Sequence, residues 1–192
     1  MKNLLPLIGL FFFAFTTQAQ ETITTTKDEK ASEIADAQPS DEHKILEATV
    51  GTWTYTMTIW PVASGPEPTK TTGEAEGEWV LGGRFVRQVT HGEIYDEPYE
   101  GVGYIGYDRD LEKYTYTWMD SRGTSTMTSY GDYDADTKSI TLEGEFTRAG
   151  LQLPFKVVLN LASKDAYTME VWRPGVYDIP YKSYEVAYSR KK

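Results

Sequence analysis

The spacing of the turn signals limits what this chain can fold into more than any other feature. From Gly51 onward they fall at Gly65-Pro66, Gly82-Gly83, Asp96 to Pro98, Asp108 to Lys113, Ser121 to Gly123, Asp134 to Lys138, Arg148 to Gly150, Ser163 to Asp165 and Pro174-Gly175. Nine turns delimit ten strands of roughly 8 to 10 residues, and connections this short imply an antiparallel meander. Within the strands the side chains alternate. In "VGTWTYTMTIWP" Trp53, Tyr55, Met57 and Ile59 share one parity and Thr52, Thr54, Thr56 and Thr58 the other. Ala75, Gly77 and Trp79 oppose Glu74, Glu76 and Glu78, while Ile140, Leu142 and Phe146 oppose Thr141, Glu143 and Glu145. Each strand therefore has one dry and one wet face. A ten-stranded sheet without covering helices hides its dry face by curling, and closure removes its exposed edges. The expectation is an all-β, single antiparallel up-and-down barrel of about ten strands, with Trp53 and its neighbours inside. The acidic row at Glu74, Glu76 and Glu78 opposes a lipid-facing exterior.

Three segments organise the chain: 1–20, 21–39 and 40–192. The first, "MKNLLPLIGLFFFAFTTQAQ", has a basic start, an apolar run from Leu4 to Phe15 and a small-residue exit, the pattern of a cleaved secretory signal. Its apolar run falls short of the roughly 20 residues a membrane helix needs. Residues 21–39 are rich in Thr, Ala and charge without an apolar period, and read as a flexible leader. Next, "SDEHKILEATVG" offers Ser40 or Asp41 as an N-cap for a short helix ahead of the barrel. The expected location is secreted or periplasmic, with no membrane insertion after signal cleavage. The formal net charge is -10, which opposes nucleic-acid binding, since phosphate contacts depend on clustered Lys and Arg. With no cysteine, the fold has no disulfide framework.

Polar side chains that share parity with apolar ones are candidates for an interior site. Phe85, Arg87, Val89 and His91 share a face, as do Tyr114, Tyr116, Trp118 and Asp120. If the first face is interior, Arg87 needs a carboxylate, water or an anionic ligand group, because an unpaired buried charge costs several kcal/mol. A bulge near Gly82-Gly83 would turn Arg87 and His91 outward instead. Gly73, Gly77, Gly101 and Gly103 leave wall positions without side chains. Aromatics around that room, Trp79, Tyr104, Tyr116 and Trp118, with Arg87, His91 and Asp120 as polar handles, form the candidate ligand-binding set. The implied partner is a small apolar or amphipathic molecule. Tyrosines filling the space completely is the alternative, as is an enzyme using His91 or Asp120 as acid or base in the same cavity.

No nucleophile elbow, zinc-protease helix or phosphate-cradling loop is present, so no catalytic residue is assigned. "YDRDLEK" and "YDADTK" lack the Gly and Glu that a calcium loop requires, and read as hairpin turns capped by Asp. With two histidines, His43 and His91, and no cysteine, no metal site is assigned.

A short helix, then Gly51 and Trp53 as Gly-x-Trp, then a meander ending in Arg190, resembles the calycin superfamily of lipocalins, fatty-acid-binding proteins and nitrobindin-like barrels. The resemblance implies that Trp53 plugs one end and Arg190 stacks across it, with Gly51 beside them in a structural, barrel-closing role. "EWVLGGRFVRQ", "GVGYIGYDRDLEKYTYTWMDSRGT" and "GDYDADTK", in this order, resemble more closely the bacterial family catalogued as domain of unknown function fifteen-seventy-nine. Nitrobindin-like barrels bind haem through a histidine late in the chain, but "YKSYEVAYSR" contains none, so no cofactor is assigned, and a haem held instead by His91 or a tyrosine stays as an alternative.

Overall fold

A computed structural model describes residues 37–61 and 67–192. The signal-peptide reading of 1–20 and all but the last three residues of the 21–39 leader lie outside the described residues. A nine-residue 3₁₀ helix, Asp41–Thr49, is followed by ten strands. These are β1 (Gly51–Ile59), β2 (Thr69–Val80), β3 (Phe85–Ile94), β4 (Glu97–Asp108), β5 (Lys113–Asp120), β6 (Met127–Asp134), β7 (Ser139–Arg148), β8 (Leu151–Asn160), β9 (Ala166–Pro174) and β10 (Pro180–Arg190). Each pairs antiparallel with its sequence neighbour, and β1 pairs with β10 to close the barrel.

Burial follows the alternation. Trp53, Tyr55 and Met57 are buried in β1 while Thr52, Thr54 and Thr56 are exposed. Facing strands supply Tyr114, Tyr116 and Trp118, then Ile140 and Leu142, Phe155, Val157 and Leu159, and Tyr167, Met169 and Val171. The turn aspartates act as caps. Asp108 Oδ1 accepts from the Asp110 and Leu111 amides at 2.9 and 3.0 Å, and Asp134 Oδ1 from Asp136 and Thr137.

One end of the barrel is sealed by the helix and by a three-residue lock. Trp53 has 0% exposure, and its indole N–H donates to Thr49 O at 3.1 Å. The guanidinium of Arg190 lies 4.1 Å over the indole, and donates to Val50 O and Lys164 O at 2.9 and 2.8 Å. Gly51 has φ +122, and a Cβ there would strike the same guanidinium, so the Gly of Gly-x-Trp is demanded twice. Burying an indole of roughly 200 Å² at about 25 cal/mol per Å² contributes up to ~5 kcal/mol. The lock accounts for Gly51, Trp53 and Arg190 without any ligand.

The helix side of the seal is polar as well as apolar. Leu46 inserts with 0% exposure, and Tyr114 OH donates to Glu42 O at 2.9 Å. Trp79 belongs here too, its indole donating to Glu47 Oε2 at 2.7 Å. His43 is buried in this seal, its Nδ1 accepting from the Ser40 amide at 3.0 Å, and burial lowers its pKa.

Candidate ligand-binding site

The interior cavity lies away from this seal. Inside the barrel a cavity of about 30 Å³ is lined by Tyr55, Tyr99, Tyr116, Tyr184 and Tyr188, with Met57, Met127 and Met169 among the apolar remainder. A space of this size holds roughly two waters. Burial raises the pKa of the Tyr116 and Tyr188 phenols, so the lining is neutral. At the mouth, Asp120 accepts hydrogen bonds from Trp118 Nε1 at 3.1 Å and Tyr99 OH at 3.5 Å, and its other oxygen takes the Arg122 amide at 2.9 Å.

Of the seven candidate ligand contacts, the structure brings Tyr116, Trp118 and Asp120 together and disperses the rest. Arg87 and His91 project outward. Arg87 donates to Glu78 Oε1 at 2.8 Å with 40% of its side chain exposed, and His91, 63% exposed, lies 3.6 Å from Glu100. The cause is the register across the 81–84 turn. Val80 pairs with Phe85, so Glu78 opposes Arg87 and Glu74 opposes His91 without any bulge. The inward positions of β3 are instead Val86, Gln88 and Thr90. A basic residue opposite the acidic row was the available signal, because opposite charges favour facing positions. Tyr104 pairs with Arg87 and shares its outer face. Trp79 is inward but at the sealed end, away from the cavity lining.

The glycine windows are occupied. A Cβ on Gly101 would lie 2.8 Å from Trp118 Cη2 and closer still to Cζ2, and one on Gly103 would lie 2.5 Å from Trp118 Cε3. The indole lies across the β4 backbone at these two glycines, and the hydroxyl end of the Tyr55 phenol takes the space beside Gly73 and Gly92. These glycines make room for aromatic rings rather than for an open chamber.

One functional candidate went unnoticed in the sequence. Tyr167, Met169, Val171 and Arg173 share inward parity in β9, which puts an arginine on the interior row at the mouth. Its guanidinium lies 4.7 Å over the Phe146 ring and 5.9 Å over that of Tyr184. Its Nε is buried without a hydrogen-bond partner. The alternation in "YTMEVWR" was a readable signal for it.

Neither histidine faces the cavity: His43 sits in the end seal and His91 on the outer wall. A histidine-ligated haem does not fit this interior, and acid–base chemistry there cannot use His91. Among the described residues no three His, Cys, Asp or Glu side chains converge as metal ligands would.

The sequence family described as "Protein of unknown function (DUF1579)" matches residues 38–190. The chain belongs to the DUF1579 family. No curated protein matches it significantly in sequence. Two solved structures show its fold. Rv2717c from M. tuberculosis superposes with a TM-score of 0.55 at 14% identity, over 81% of this chain and 100% of that one. The S-type phycobiliprotein lyase CpeS from Guillardia theta gives 0.54 at 12%, over 83% and 97%. The DUF1579 chain thus shares the fold of these two proteins, and at these identities the likeness extends to the fold alone.

Proposed function

We propose that this DUF1579 protein reversibly binds a small, predominantly apolar molecule inside the barrel, taken up at the end opposite the Trp53–Arg190 lock. The interior cavity lined by tyrosines and methionines carries the reading. One end is sealed by helix and lock, and at the other a few polar groups converge beside an apolar space, the usual composition of a small-ligand site. At about 30 Å³ the space is contracted, so an occupant must displace side chains. Met57, Met127 and Met169 are unbranched and adaptable enough to do so. The small volume favours a rival reading, a filled barrel serving as a structural or partner-binding module.

Native mass spectrometry and calorimetric titration with six- to ten-carbon alcohols and aromatic hydrocarbons separate the two. A retained adduct or a saturable heat supports binding. A barrel that carries no adduct and ignores the whole panel is a filled one. We further propose export, on the character of residues 1–20. A mature product beginning near residue 20 in the secreting cell tests it, and retention of the full chain in the cytoplasm overturns it.

A further inference from the structure

Pairing along the barrel wall is partial between β8 and β9. Strand β8 pairs with β7 along its whole length, Leu151 to Asn160, but with β9 only from Lys156 to Asn160. Leu151 to Phe155 thus lack a partner on that side, and Pro154 has no amide to offer one. A groove of about 420 Å³ lies along this seam. Its lining includes residues of both wall faces. Glu143, Lys156 and Trp172 share the outer parity, whereas Gly144, Phe155 and Arg173 share the inner one. A groove lined by both faces passes into the wall rather than over it. Phe155 also lines the interior cavity, so its ring is the partition between groove and cavity.

Arg173 stands at that partition. Among the described residues it makes no ion pair. Its guanidinium lies near the Phe146 and Tyr184 rings, and its buried Nε is unsatisfied. A buried donor with no acceptor is rare in folded proteins and calls for an explanation, of which an absent acceptor is the simplest. Arginine is the side chain best suited to meet a carboxylate through two parallel N–H donors, and Nε–H is one half of that fork. Lys156, 5.4 Å over the Trp172 ring, adds a second cation at the groove. Glu143 and Asp178 also line it. Glu143 sits opposite Lys156 in the sheet, and Asp178 is exposed.

We propose that the β8–β9 seam is an anion subsite and that the ligand is an amphipathic carboxylic acid. Its carboxylate pairs with the Nε side of Arg173, and its apolar body passes Phe155 into the tyrosine- and methionine-lined cavity. This assignment rests on the binding function proposed above and names the head group that function accepts.

Octanoate and octanol share a chain and differ in the head group, so their titration into the intact protein by calorimetry tests the assignment. The acid is expected to bind at least tenfold more tightly than the alcohol. Arg173→Gln should abolish that ratio while leaving the affinity for octanol within about twofold. Arg173→Lys, which keeps the charge without the fork, should restore part of it. Equal binding of acid and alcohol by the unmodified protein overturns the anion subsite and leaves the apolar cavity standing. Binding of neither removes both. The ratio in the unmodified protein decides the matter even if Arg173→Gln fails to fold, and a preference for the acid that survives in Arg173→Gln also sinks the assignment.

Discussion

Gly101→Ala should change the sign of its effect according to whether Trp118 is present. In an extended strand alanine is normally better than glycine by roughly 0.5 to 1 kcal/mol, because glycine loses more backbone freedom on folding. Nothing in the Gly101 backbone opposes the change, since its φ is outside the left-handed range. The Trp118 ring does oppose it. An added Cβ would lie 2.8 Å from Cη2 and 3.0 Å from Cε2, where ordinary contact begins near 3.4 Å. The indole must lift from the wall by roughly an ångström, and overpacking of this kind costs about 1 to 3 kcal/mol. Lifting it also stretches the hydrogen bond from Trp118 Nε1 to Asp120. Against the alanine gain, Gly101→Ala should therefore cost about 0.5 to 2 kcal/mol in the unmodified protein. In a Trp118→Ala background the obstacle is gone, and the same change should stabilise by about 0.5 kcal/mol. Urea unfolding of the four variants, followed by far-UV circular dichroism, gives the coupling directly. A stabilising Gly101→Ala in the unmodified background would show that the ring does not rest on that glycine.

Two further outcomes are expected. Arg190→Met removes donors to two backbone carbonyls and the cation above Trp53, which together should cost about 2 to 4 kcal/mol after allowance for partial exposure. Thermal unfolding should then begin several degrees lower, and an unchanged transition would refute the lock. The buried phenols provide a pH signature, because burial raises the pKa of Tyr99, Tyr116 and Tyr167 above the ordinary value of 10.0. The unfolded chain loses those protons first, so the stability they contribute is complete below pH 10 and declines as pH rises above it. Ultraviolet titration should show a fraction of the 14 tyrosines ionising only as the protein unfolds, and a single ordinary titration of all of them would contradict the burial.

The barrel was legible because its determinants are local. Turn residues mark each strand's ends, and the parity of Trp53, Tyr55 and Met57 declares the interior directly. Gly51, Trp53 and Arg190 were legible as a set through resemblance. The site was only half legible, because facing is inherited across a turn. Which way Arg87 points depends on how many residues the 81–84 turn consumes, since one residue more or less moves every following side chain to the other face. Tyr104 then follows Arg87, its partner across the sheet. The glycine windows were misread for another reason. A missing side chain shows where space exists but not which neighbour takes it, and Trp118 lies on its own strand two residues from Asp120. Arg173 was legible in principle, but the half-paired seam that gives it meaning depends on where β8 and β9 part, which neither segment states alone.

The pairing of the first strand with the last has a consequence for how the molecule comes into being. Trp53 takes part of its cover from Arg190 on the strand that closes the barrel, so the ring of hydrogen bonds cannot be completed until β10 has been synthesised. Contacts this distant along the chain slow the search for the native state. Trimming even a few residues from around Arg190 would take the guanidinium off the indole and leave the cylinder unsewn, whereas comparable trimming at an exposed hairpin tip would be absorbed where it occurs.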